Sequence, residues 1–182
     1  MATSRLNASK VTLEPTRLHW IRDDGMDDAH DLCAHSPVHF SIQGNCLMSP
    51  DGDDVTVSAA VIYLLRTLEL DHTSNDPVGD HLFPCCGHAM YDTGDEDVVI
   101  CGCSNGTDFS VKHVGAGEIL VRSVNDQSYL TTLDEWRAAV NRFSDCVLNF
   151  YDRSIPKTPA DDTDAAGFAK LMSEWKRRRG RP

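Results

Sequence analysis

The sequence predicts an α+β domain, an antiparallel β-meander packed against C-terminal helices, with one central apolar helix in the N-terminal half. Three observations carry this. Between Val98 and Thr131, short runs rich in β-branched residues are separated by turns of two or three residues, too short for anything but antiparallel neighbours. From Leu133 onward, apolar residues recur at helical spacing behind a capping sequence. The chain also lacks the regular strand-helix alternation of a parallel sheet. At 182 residues with 41% hydrophobic content, residues 1–182 are expected to form one domain around a single core.

Taken in order, residues 1–20 read as a flexible N-terminal segment and 22–36, which sustain no period, as a loop or short helical turn. Val38, Phe40 and Ile42 alternate with polar residues, which predicts a strand; Gly44-Asn45 turns the chain into a short Cys46–Met48 strand, and Ser49-Pro50-Asp51-Gly52 is a turn. Val57, Ala60, Val61, Leu64, Leu65 and Leu68 predict a helix over 56–70, apolar nearly all round and therefore central. Residues 71–97 read as a long irregular insertion of the kind that carries function. A four-stranded meander follows, with strands at 98–101, 109–114, 119–124 and 128–131 and a hairpin turn at Ser104-Asn105-Gly106. Thr132-Leu133-Asp134-Glu135 is a capping box. The helix behind it, 133–152, carries Trp136, Val140, Phe143, Val147 and Phe150 as a stripe aimed at the meander. Pro156 and Pro159 break a linker at 154–162, and Phe168, Leu171, Met172 and Trp175 line a last helix from about Thr163 to Arg179.

Charge is the strongest global signal. The net −11 is concentrated in 23–97, where sixteen acids face one base, Arg66, while the last helix ends on Lys176-Arg177-Arg178-Arg179. This acidity disfavours nucleic acid and predicts a face that attracts a basic partner, built from Asp23, Asp24, Asp27, Asp28, Asp51, Asp53, Asp54, Asp95, Glu96 and Asp97. A solvated acidic surface is the plain alternative. No apolar run is long enough for a bilayer. The N-terminal charges also lack the apolar core of a secretory signal, so the expected compartment is the cytoplasm, where seven cysteines read as free thiols or metal ligands.

His72, His81, Cys85, Cys86, His88, Cys101 and Cys103 supply seven soft or borderline ligands within one stretch. Zinc takes four such ligands in a tetrahedron, usually from Cys-x2-Cys or His-x3-His pairs. Those spacings are absent, so His81, Cys85, Cys86, His88, Cys101 and Cys103 stand as metal candidates beside their plainer reading as small core residues. No cysteine precedes a helix N-terminus that would activate it as a nucleophile, and Gly102-Cys103-Ser104-Asn105-Gly106 leads into a strand rather than the helix a phosphate loop needs.

The run Thr132-Leu-Asp-Glu-Trp136-Arg-Ala-Ala-Val140, continuing through Phe143-Ser144-Asp145 to Phe150-Tyr151, Pro156-Lys157 and Glu174-Trp175, resembles small bacterial immunity proteins encoded near polymorphic toxins. The resemblance implies a cytoplasmic, non-enzymatic protein that binds and neutralises a toxin; the acidity of 23–97 suits a basic toxin domain. The leading expectation is therefore a protein-binding protein without cofactor, nucleic-acid or membrane partner. The alternative is a zinc protein or enzyme built on the His/Cys cluster of 72–103.

Overall fold

The computed structural model describes residues 11–21, 26–115 and 117–180. It is an α+β structure of antiparallel sheets and three helices. The segment expected to be flexible instead contributes a strand. In β1 (Val11–Pro15), Val11 and Leu13 point inward opposite Ile42 and Phe40 of β3 (Val38–Ile42). Trp20 is buried as well, under a ring stack with Phe150 and a Lys157 ammonium 3.2 Å from its ring centroid. A two-residue strand, β2 (His35–Ser36), precedes β3 and pairs with β5 (Val55–Thr56). The turn after β3 carries Gln43 and Gly44 at positive φ and leads into β4 (Asn45–Met48).

Helix α1 (Val57–Arg66) is shorter than its periodicity suggests, with Thr67 and Leu68 continuing as turns. Every residue from Val57 to Leu65 is buried, as an all-round apolar helix requires. Helices α2 (Leu133–Arg153) and α3 (Asp162–Arg179) pack against it. Two buried indoles lock this packing, because a buried N–H must find an acceptor. Trp136 Nε1 donates to Thr67 Oγ1 at 3.0 Å, and Trp175 Nε1 to Ser144 Oγ at 2.7 Å.

The expected four-stranded meander is three-stranded: β10 (Phe109–His113), β11 (Glu118–Ser123) and β12 (Ser128–Thr132). The strand expected at 98–101 leaves it to pair elsewhere, because residues 102–108 lead to a different partner and not into a hairpin with β10. Nor is 71–97 wholly irregular. It holds β6 (Phe83–Pro84) and β7 (Ala89–Tyr91), which pair with β9 (Gly106–Thr107) and β8 (Val99–Cys101) respectively. The α2 stripe faces β1 as well as β11 and β12, since the unforeseen β1 sheet takes part of the surface the meander was expected to cover. Trp136, Val140, Phe143 and Val147 are buried, whereas Phe150 and Leu68 are only half-buried. Thr132 Oγ1 accepts from the Glu135 amide as expected of the N-cap, and the Glu135 carboxylate accepts from the Thr131 hydroxyl at 2.7 Å. Asp161 caps α3, accepting from the Thr163 and Asp164 amides.

At the centre of the packing lies a wholly buried carboxylate, Glu174 of α3. It accepts from Arg66 Nε and Nη2 at 2.8 and 2.9 Å, from Arg178 Nε at 2.7 Å and from the Val98 amide at 2.8 Å. Arg66 also donates to the Val78 and Val98 carbonyls. A buried charge stripped of such partners costs about 3–5 kcal/mol. Glu174→Ala should therefore lower unfolding free energy by about that amount, since it strips Arg66 of its close carboxylate partner and Arg178 of one of its three; urea denaturation checks this. α3 also crosses β7 at Gly167, where an added Cβ would lie 2.0 Å from the Met90 carbonyl oxygen. Gly167→Ala should destabilise the fold despite the better helix propensity of alanine, as a drop in melting temperature will show.

Candidate metal centre

The two small ladders of 83–107 share one register. Phe83 stands opposite Thr107, Pro84 opposite Gly106, Ala89 opposite Cys101 and Tyr91 opposite Val99, with no slip between the pairs. They are the two ends of one long hairpin whose pairing is interrupted over 85–88 and 102–105. Cys85 still donates its amide to the Asn105 carbonyl at 3.1 Å, and beyond it the ladder opens. Gly106 permits the close crossing at the base, where a Cβ would lie 2.5 Å from the Phe83 carbonyl oxygen.

The interruption is occupied by sulfur. Cys85 Sγ lies 3.3 Å from Cys86 Sγ and 3.3 Å from Cys103 Sγ, and the three fall within 4.8 Å of one another. A tetrahedral zinc with bonds of about 2.3 Å separates its sulfurs by about 3.8 Å, so this spacing fits one ion after small side-chain rotations. The thiols are half-buried. The Asn105 amide donates to Cys103 Sγ at 3.4 Å and draws that thiol below its ordinary range, the neighbouring thiols adding to the effect. The hydrogen bonds of Cys85 and Cys103 push Cys86 up to about 12. The triad thus favours negative charge at Cys103, the form a metal binds.

The surroundings hold the interruption in place. Thr56 Oγ1 donates to the Cys86 carbonyl at 2.5 Å, and the Cys33 thiol reaches the His88 carbonyl at 3.5 Å. Burial pushes the Cys33 thiol itself up to about 11, so it remains protonated. A cavity of about 310 Å³ opens beside Cys85 and Thr107, walled by Leu47, Met48, Asp53 and Asp54.

Of the six metal candidates, then, the fold brings together Cys85, Cys86 and Cys103. Cys101 sits exposed in β8, opposite Ala89. His81 precedes the interruption, packed by Gly106, and His88 is its last residue on that strand, packed by Gly102, but their ring nitrogens lie outside the thiol group. Nδ1 of His81 and both nitrogens of His88 are sealed from solvent and have no hydrogen-bond partner among the described residues. Burial, with the charge of His35, pushes His88 down to about 4. The residue that sequence reasoning undervalued was Asn105, whose place two positions after a cysteine was the available sign of an amide aimed back at sulfur.

The acidic candidates have different surroundings. Asp23 and Asp24 lie outside the described residues. Asp27 receives the Lys157 ammonium at 2.9 Å and the Ile155 amide at 2.7 Å, and Asp28 the His30 amide. Asp54 lies 3.2 Å from His19 Nε2, and Asp51 and Asp53 are exposed. Asp95 and Glu96 are exposed at the hairpin tip, with Glu96 4.0 Å from Arg177; Asp97 is bound by Arg177 and by Arg178 at 2.7 Å. Burial pushes the Asp97 carboxyl up, yet the two guanidinium groups hold it below the usual carboxylate range. The basic end of α3 is thus largely engaged within the fold, with Arg179 on Asp145.

Searched against protein-family models, curated proteins and solved structures, the chain matches none. No helix among the described residues is long and apolar enough to cross a membrane.

His35 makes the fold sensitive to acid. The residue is 3% exposed, and burial holds its pKa below the ordinary histidine value. The unfolded chain therefore binds more protons as pH falls below about 6.5, so stability present above that value is lost toward lower pH. Urea unfolding at pH 7, 6 and 5 should show a declining free energy, with a shallower decline in His35→Gln.

Proposed function

We propose that the chain is a thiolate metal-binding protein that takes zinc at Cys85, Cys86 and Cys103. The observation that carries the reading is the meeting of three sulfurs in the one interruption of an otherwise continuous hairpin. Zinc has no directional preference of its own and accepts thiolates at the separation these residues offer. When bound, it would supply the cross-link that the missing ladder bonds leave out, joining 85–86 to 103. Three protein ligands leave one position of the tetrahedron to be filled, and the cavity beside Cys85 gives a small molecule or water a route to it.

Elemental analysis of untagged protein should find about one equivalent of zinc, falling below about a tenth in Cys103→Ser, and a chelator should lower the melting temperature of the wild type. Wild-type protein without metal after zinc loading would remove the reading.

A second reading, the acidic binding protein, is favoured by Asp51 and Asp53, which are exposed and have no ion-pair partner among the described residues. Its signature is capture of a basic protein domain that weakens steeply with added salt and with reversal of those two charges.

A further inference from the structure

The same three thiols stand close enough to oxidise. We propose that Cys85 and Cys103 form a reversible intrachain disulfide when the protein meets a hydroperoxide, making the hairpin interruption a redox-responsive site. Their sulfurs are 3.3 Å apart, on antiparallel neighbouring segments, and reach a bond of about 2.05 Å by side-chain rotation. Cys86 is as near to Cys85, but a bond between adjacent residues closes an eight-membered ring that twists the intervening peptide out of plane. It is therefore the thiol left over. All three are half-exposed, so a small oxidant reaches them. The other cysteines serve as internal contrasts: Cys33 is buried, while Cys46, Cys101 and Cys146 are exposed and belong to no thiol group among the described residues.

The chemistry balances with hydrogen peroxide as the oxidant. One sulfur of the pair, as thiolate, attacks a peroxide oxygen; the O–O bond breaks, a sulfenic acid forms and hydroxide leaves, taking up a proton as water. The second sulfur then attacks the sulfenic sulfur, the S–S bond forms, the S–O bond breaks, and the departing hydroxide takes the second thiol proton as another water. Two thiols lose two electrons and one peroxide gains them. The inference goes beyond the metal reading and does not need it, because the bond forms from thiols alone. A metal held there would lose two of its three ligands and leave.

Reduced full-length protein is treated with a few-fold excess of hydrogen peroxide, blocked with iodoacetamide and digested without reductant. Cleavage at Asp92, Asp95, Glu96 and Asp97 separates the Cys85-Cys86 half from the Cys101-Cys103 half, which trypsin leaves on one peptide between Arg66 and Lys112. The expected product is the two halves linked, lighter by two hydrogens, and separated again by dithiothreitol. Compared as metal-free proteins, the Cys86→Ser/Cys101→Ser double variant, with only the proposed pair left in the hairpin, should form the link at a rate within about twofold of wild type, and Cys103→Ser should slow it about tenfold or more. A double variant that loses the link, or wild type that forms none at peroxide levels oxidising Cys46, overturns the inference. Zinc is followed in parallel with a chromogenic chelator. Protein that forms the link but never carried zinc keeps this inference and removes the metal reading. Protein that retains zinc through the treatment without forming the link does the reverse.

Discussion

The buried carboxylate of Glu174 is the constraint on which the arrangement of helices and hairpin depends. A charge with no exposure is tolerable only where its oxygens are fully met, and here the donors come from three separate places: Arg66 at the end of α1, Arg178 one turn along α3, and the amide of Val98 at the tip of the long hairpin. No two of these elements can shift without exposing the third to an unpaired charge. Hydrophobic packing supplies most of the driving force for such a core but is indifferent to small sliding motions, whereas a bidentate guanidinium-carboxylate pair has one geometry. The network therefore acts as the register pin of the α1–α3 layer, and it extends outward through Arg178 to Glu69 and Asp97.

That pin also fixes the thiol cluster at a distance. The hairpin is held at its tip by Glu174, by Arg177 and Arg178 on Asp97, by Lys170 on the Asp95 carbonyl, and by the close crossing of Gly167 over Met90. It is held at its base by Phe83, whose ring packs against Phe40, Phe109 and Phe143. With both ends secured in one register, the unpaired middle cannot close by slipping, since a slip of one residue would turn Phe83 out of the core. The cysteines of the interruption are thus brought together by the surrounding fold, which is the condition for a site whose ligands need little reorganisation to bind.

The charge pattern shows the same division between local and distant causes. The acidic stretch 92–97 and the basic stretch 176–179 look in isolation like two patches awaiting partners, yet part of each is the partner of the other across the α3–hairpin contact. Lys157 likewise meets Asp27 and the Trp20 ring, which ties the proline-broken linker to the N-terminal half.

What the sequence by itself determined was everything governed by near neighbours: the all-buried α1, the Thr132 cap and stripe of α2, the three-strand run 109–132 with its glycine and Asn-Asp turns, and the basic end of α3. Periodicity, capping and turn chemistry act within a few residues, so they are readable without knowing the fold. It also placed the chemistry-bearing cysteines in the right stretch, though Cys85-Cys86 and Cys101-Gly-Cys103 match no familiar ligand spacing. Only the tertiary structure decided that Val99–Cys101 pairs back onto Ala89–Tyr91 and that β1 joins the β3 sheet. It alone selected Cys85, Cys86 and Cys103 from six candidates. Each of these is a choice among partners of similar local propensity, and the choice is made by what must be buried far away: Phe83 and Phe109 in the aromatic core, and Glu174 between two arginines. Long-range burial of that kind leaves no periodic trace in the chain, because it depends on which surfaces the rest of the fold has already covered.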